Sequence, residues 1–207
     1  AICEQKGAHF IQTEWKGYAA TKNFANGLAK HDYLLSLDAD EAVDKILEAA
    51  ILKVKEAGFK GTYTVNRLTN YCGQWIHHSG WYPDKKIRLF PKSKTHWVGE
   101  FVHEELSFSE HLPDTELPGH LEHFSYYSFD DHRARADKYS LLTAQKMAAR
   151  GKKAGPFKPY LSAIGRFISM YLIKRGFMDG RMGFKIALIS AKSNILKYQE
   201  LRRLTKP

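Results

Sequence analysis

The apolar run Leu34-Leu35-Ser36-Leu37 ends abruptly in Asp38-Ala39-Asp40-Glu41. A short apolar stretch bounded in this way predicts a buried strand. Upstream, Ala1 to Gly7 reads as the last turns of a helix stopped by Gly7, Ala8 to Thr13 as a short strand, and Lys16 to Lys30 as a loop and helix with Phe24 and Leu28 on its apolar stripe. Downstream, Asp44 is positioned to cap a helix through Lys55. Ile46, Leu47, Ala50, Ile51 and Val54 share one face of that helix, and Gly58 ends it. Strand, acidic turn and helix together form an α/β arrangement, in which ligands bind beyond the carboxyl ends of the strands.

Thr62 to Arg67 and Lys86 to Phe90 have the β-branched and aromatic content of strands. Trp97 to Glu104 reads as a strand that delivers His103 and Glu104 to its end. Alternation over Gly119 to Tyr126 puts His120 and Glu122 on one face and His123 on the other. Asp131 to Arg150 predicts a basic helix whose inner side is Tyr139, Leu142 and Ala149 with Ala134, Leu141 and Ala148. Gly151 to Pro156 is the clearest linker. Phe157 to Arg175 and Phe184 to Leu204 then predict amphipathic helices, dividing the chain into residues 1–150 and a helical extension, 151–207.

Charge narrows the choice of partner. The 207 residues carry a net charge of +10 with a pI near 9.5, a bias toward an anionic partner. With 43% hydrophobic and 26% charged residues, the composition is that of a folded globular chain. Cys3 and Cys72 are too few for a disulfide framework and lack metal-binding spacing, so a reducing, cytoplasmic setting is expected. Ala1 to Phe10 lacks the pattern of a signal peptide, and no run is long and apolar enough to span a bilayer. The basic C-terminal helices can lie on an anionic membrane or pack as a helical hairpin on the domain.

Three carboxylates at the end of an apolar run need a compensating cation, and Mg²⁺ or Mn²⁺, which prefer oxygen ligands, are the natural candidates. The alternative is a solvated turn whose acids favour the dipole of the next helix. Glu104 can serve as a general base or pair with a Lys or Arg. Lys22-Asn23, near a helix start, can meet a phosphate or stand in solvent. Trp75, Trp81 and Tyr82 suit either a core or a sugar ring. His77-His78 fits no catalytic pattern and reads as a loop feature.

The order of these motifs carries more than any one of them. Trp15-Lys16-Gly17-Tyr18 with Lys22-Asn23 is followed by Leu35 to Glu41, then by Gly80-Trp81-Tyr82-Pro83-Asp84 with Arg88-Leu89-Phe90. Trp97-Val98-Gly99 with Val102-His103-Glu104, Leu121 with His123 and Ser125-Tyr126, and Gly176-Phe177-Met178-Asp179-Gly180 complete the series. From about Ala1 to Tyr198 it resembles family 2 glycosyltransferases, and among them the bacterial lipopolysaccharide core β-glucosyltransferases. The resemblance implies a GT-A fold, which is Rossmann-like and α/β, with 151–207 as its C-terminal helical extension. It also implies a nucleotide-sugar donor, usually UDP-linked, and inverting transfer to a glycan or lipid-linked acceptor assisted by Mn²⁺ or Mg²⁺. On the matching positions, Asp38 and Asp40 are the metal and nucleotide motif, with Asp40 the direct ligand and His123 a third. Lys22 and Asn23 fall at the nucleotide, and Glu104 stands at the general base with Asp84 as its rival. The family's first strand and helix, and the next strand with its acidic contact to the base, are expected before Ala1.

The resemblance places the enzyme in the cytoplasm, peripheral on the inner face of the bacterial plasma membrane. Two other classes stand against it. One is a metal-dependent phosphoesterase using Asp38, Asp40 and His123, and the other a non-catalytic basic module for membrane or nucleic acid. The scattered basic residues argue against nucleic acid.

Overall fold

The computed structural model describes residues 2–99 and 104–206. In chain order these form α1 (Ile2–Gln5), α2 (Tyr18–Leu28), β1 (Tyr33–Leu35), β2 (Glu41–Val43), α3 (Lys45–Glu56), β3 (Thr62–Tyr71), β4 (Gln74–Ile76), β5 (Asp84–Pro91), β6 (Thr95–Val98), β7 (Glu105–Phe108), β8 (Asp114–Tyr126), α4 (Phe129–Ala149), α5 (Lys158–Ile168) and α6 (Gly180–Leu204). This is a mixed α/β chain. One sheet has the strand order β1-β5-β3-β8-β2 with β4 on β3, and β6 and β7 form a separate antiparallel pair.

The chain divides into two units, 1–36 with 58–64 and 87–115, and 37–57 with 65–86 and 116–207. Residues 151–207, expected as an extension, belong to the second of these.

In the first unit β1 pairs antiparallel with β5, Tyr33 opposite Pro91 and Leu35 opposite Leu89. Because β1 is an edge strand of three residues, Leu35 and Leu37 remain exposed, and the expected buried strand is a short, half-covered one. Ala8 to Thr13, expected as a strand, is irregular and exposed; strand propensity is realised only where a neighbouring strand supplies packing and pairing. Tyr33 stacks on Phe59 and Phe59 meets Tyr63 edge-on, while buried Phe90 packs against buried Trp97. The Thr62 and Thr64 hydroxyls both donate to Asp114 at 2.8 Å.

In the second unit the acidic turn leads into β2, not directly into a helix as expected. That strand lies on β8, with Glu41 opposite His123 and Val43 opposite Leu121. Three residues are too few to leave an alternating signature in sequence. Asp44 then caps α3 as expected: its Oδ1 accepts from the Leu47 N–H at 2.7 Å and its Oδ2 from the His120 N–H at 2.9 Å. Gly119 makes this junction possible. Its φ is +94°, and a Cβ there would meet the Leu47 nitrogen and, at 2.6 Å, Asp44 Oδ1.

The helix over 131–150 forms nearly where expected, capped by Ser128, but its inner side differs. His132, Ser140 and Ala144 are buried, whereas Tyr139, Leu141 and Leu142 face solvent. Small residues win the inner positions because α4 packs on α6, whose own buried residues include Gly183, Ala187 and Ala191. Close helix approach requires small side chains at the contact. α5 continues through a π-helical turn (Ser169–Ile173) and a 3₁₀ turn (Gly176–Asp179) into α6. The core of this unit is Tyr71, Ile76, Met170, Ile186 and Ala187, with Trp81, Tyr126 and Phe129 packed against it.

Candidate active site

The acidic turn of the second unit closes on itself through backbone and side chain. Asp38 O accepts from the Glu41 N–H at 3.0 Å, while Glu41 Oε2 accepts from the Asp38 N–H at 3.0 Å. The carbonyl of Asp40 is tied to β8 through the Phe124 N–H at 2.9 Å. Asp38 is half-buried, and the Asp40 side chain is 44% exposed. Asp40 Oδ2 lies 3.3 Å from His123 Nε2.

His123 is itself mostly buried, and its Nδ1 has no hydrogen-bond partner among the described residues. Burial first, and the nearby Arg67 charge second, lower its pKa below the usual imidazole value, outweighing the opposing pull of Asp40 and Glu41. The imidazole is therefore neutral near pH 7, with a lone pair to offer.

Arg67 ties the surrounding acids together. It donates through Nε to Asp84 Oδ2 at 2.8 Å, its Nη2 is 2.7 Å from the same oxygen, and its Nη1 reaches the buried Glu41 side chain at 3.5 Å. Asp84 Oδ1 is 3.1 Å from Lys86 Nζ. A cavity of about 480 Å³ opens here, lined by Arg67, Trp81, Asp84, His123, Tyr126 and His132 among others. Trp81 and Tyr126 thus both line the cavity and pack against the core.

His132, on α4, is 5% exposed and hydrogen-bonds through Nδ1 to the Tyr71 hydroxyl at 2.8 Å. Burial pushes its pKa down to about 4 and pushes that of Tyr71 above the ordinary phenol range. Neutral His132 and the neutral Tyr71 hydroxyl therefore share this bond without a charge, its donor set by the imidazole tautomer.

One further carboxylate fastens the loop that leads to the cavity-lining residues Gly80 and Trp81. Asp179, 4% exposed, accepts from the His77 and His78 N–H groups at 3.1 Å each, from the Ser79 hydroxyl at 3.0 Å, and faces His78 Nδ1 at 3.0 Å. Ser79 is held at φ +60°, and the chain then runs directly to Trp81 and Asp84. His77-His78 is thus the loop that Asp179 fastens.

In the first unit Glu104 Oε1 lies 3.1 Å from Lys22 Nζ, which also sits 4.6 Å above the Trp97 ring. Asn23 clasps the β6 backbone, donating to Trp97 O at 2.8 Å and accepting from its N–H at 2.9 Å. Its second amide hydrogen faces His96 Nε2 at 3.0 Å, so the amide has no donor left for a ligand. A cavity of about 850 Å³ lies against this corner, lined by Trp15, Lys16, Tyr18, Asn23 and Trp97 among others. Gly17 caps α2 without a side-chain bond.

The expected residues therefore form two groups. Lys22, Asn23 and Glu104 meet in the first unit, and Asp40, His123 and Asp84 border one polar cluster in the second. His103 lies outside the described residues. Arg67, His132 and Asp179 were not singled out as site residues from sequence. Among the described residues, no three His, Cys, Asp or Glu side chains converge as a ready-made metal cage.

No family model matches the chain. It is 28% identical to a protein named an uncharacterized glycosyltransferase from Rickettsia felis, over 98% of this chain and 75% of that one. A protein of the same description from Rickettsia prowazekii is 27% identical over 99% and 73%. The lipopolysaccharide core biosynthesis glycosyltransferase LpsC of Rhizobium meliloti is 24% identical over 88% and 68%. Over nearly its whole length, then, this chain resembles glycosyltransferases, an enzyme of lipopolysaccharide core biosynthesis among them.

Proposed function

We propose that this chain is an inverting, family 2 glycosyltransferase of GT-A fold that moves a hexose from a nucleotide sugar, UDP-linked, to a glycan or lipid-linked acceptor of the bacterial cell envelope. The observation that carries the proposal is the pairing of Asp40 with His123 at 3.3 Å, beside the cavity that Asp84 and Trp81 line. It unites two motifs of the resemblance, and the names of the relatives support the coarser reading of a glycosyltransferase.

The donor set suits a divalent cation. A carboxylate oxygen and a neutral imidazole nitrogen, 3.3 Å apart, are both donors that such a cation takes. The Nδ1 of His123 has no hydrogen-bond partner among the described residues, and the Asp40 carboxylate is half-exposed. Asp40 and His123 would hold the ion with diphosphate oxygens as its other ligands, and Asp38 would support the turn. Bound there, Mn²⁺ or Mg²⁺ would supply positive charge against the leaving diphosphate.

Glu104 takes the proton of the acceptor hydroxyl. The oxygen so freed forms its bond to the anomeric carbon as the bond from that carbon to the phosphate oxygen breaks, and the nucleoside diphosphate leaves with the electron pair. Lys22, held between Glu104 and the Trp97 ring, offers the nucleotide a cation, and Asn23 serves by fixing α2 to β6. Asp84 is the weaker base, because Arg67 and Lys86 occupy both its oxygens.

The resemblance puts this enzyme peripherally on the inner face of the plasma membrane. No helix among the described residues is long and apolar enough to cross a membrane. The test is hydrolysis or transfer from a panel of nucleotide sugars with and without Mn²⁺. Metal-dependent turnover of one donor is expected. Release of phosphate from a model diester without glycosyl transfer would favour a phosphoesterase instead.

A further inference from the structure

α5 is apolar on two sides. Pro159 and Ala163, with Met170 just beyond, face inward and are buried. Phe157, Leu161, Ile164, Ile168 and Leu172 recur at spacings of three and four on another side and are 42–73% exposed. A helix packed on a soluble domain normally buries its one apolar stripe, and a second stripe left in water marks an interaction surface.

The charge of the segment that carries this stripe is of one sign. Between Asp137 and Asp179 the sequence holds nine Lys and Arg residues and no Asp or Glu, in a chain whose whole net charge is +10. Lys152, Lys153, Lys158, Arg166, Lys174 and Arg175 are all exposed. On one flank of α5, Lys158 joins Lys197 of α6 around the Tyr198 ring, at 5.6 Å and 4.7 Å. Burial, and then the charges of Arg166 and Lys158, press the Lys197 pKa downward. Like charges gathered in this way are relieved by an anion.

We infer that the outer face of α5 and the turn after it, Phe157 to Ile173, docks on an anionic bilayer. The apolar side chains seat at headgroup depth and the basic residues around them meet lipid phosphates. An apolar stripe edged by Lys and Arg, too short to span, is the composition of a helix lying in the membrane interface. A second copy of the chain fits the apolar stripe but not the charge, because two such surfaces face to face would oppose like with like. The inference gives the proposed transferase a route to a lipid-linked acceptor and rests on that reading only for its purpose.

Flotation of the purified chain with phosphatidylcholine vesicles, and with vesicles containing about one-third phosphatidylglycerol, tests the inference. Binding to the anionic vesicles, weakened by salt, is expected. The double variant Leu161→Glu with Ile164→Glu should lower that binding about tenfold or more while leaving the circular dichroism spectrum and Tm unchanged, since both residues are exposed. Equal floating with neutral and anionic vesicles, or undiminished binding by the variant, would overturn docking. So would a concentration-dependent dimer in sedimentation equilibrium that the same variant dissociates. Turnover of a nucleotide sugar without vesicle binding would defeat the docking surface and leave the transferase reading standing. Vesicle binding without turnover would do the reverse.

Discussion

Removing the Asp179 carboxylate should unfasten the loop that leads to the cavity. The side chain accepts two backbone N–H bonds and one hydroxyl bond and faces a ring nitrogen, all at 3.0–3.1 Å and nearly out of reach of water. A hydrogen bond to a charged group contributes about 1.5–3 kcal/mol net, and donors left buried without a partner cost more. Asp179→Ala orphans these donors together. Because the bonds share one acceptor group their losses do not simply add, and about 4 kcal/mol is expected for the set. For a chain of this length that is a fall in Tm of about 8–16 °C. Asp179→Asn should cost about half as much, since the Ser79 hydroxyl can turn to accept from the new amide and one backbone N–H is left opposed. Calorimetry of the two variants checks the order and the size. A drop under about 1 kcal/mol for Asp179→Ala would refute the view that this carboxylate holds the loop.

Other outcomes follow from single sites. His132 titrates near 6.5 when unfolded and near 4 when folded, so the unfolded chain takes up the proton first. The stability that neutral His132 contributes is complete above pH 6.5 and is lost as pH falls toward 4, by about 3 kcal/mol in all. Urea midpoints at pH 7 and pH 4.5 should show this, with a flatter dependence in His132→Gln, and an unchanged slope would contradict it. Gly119→Ala must place a Cβ against Asp44 and the start of α3 at φ +94°, and a cost of about 3 kcal/mol is expected by thermal unfolding; a loss below about 1 would mean that the junction yields. Glu104→Gln should lower kcat about a hundredfold or more with little change in donor KM. Asp84→Asn should cost less, and the opposite ranking would transfer the base to Asp84.

Local signals in the sequence were realised where they were short in range. The Asp44 cap and the stop near Gly58 are decided by neighbouring residues, and α3 formed as read. The limits of α4 were likewise legible from local pattern. Its buried face was not, because hydrophobicity favours leucine and tyrosine inside while close packing on α6 selects Ser140 and Ala144. The apolar run before Asp38 reads as buried by composition, but burial of a strand depends on neighbours on both sides, and among the described residues β1 has one. The pairing of Asp40 with His123 was visible only through the order of motifs. Arg67 looked like an ordinary strand residue, and the bond between Asp179 and the His77-His78 loop joins points about a hundred residues apart through backbone N–H groups, which no side-chain pattern records.

Asp40 is the centre of the proposed site. Titrating UDP into the chain by calorimetry, with Mn²⁺ and with chelator, for wild type and Asp40→Asn, tests whether the acidic turn grips a diphosphate through a cation. The prediction is that Mn²⁺ tightens UDP binding by about tenfold or more in the wild type and has no effect in the variant, whose fold is unchanged by circular dichroism. UDP binding that is equally tight with and without metal, in both proteins, would contradict it.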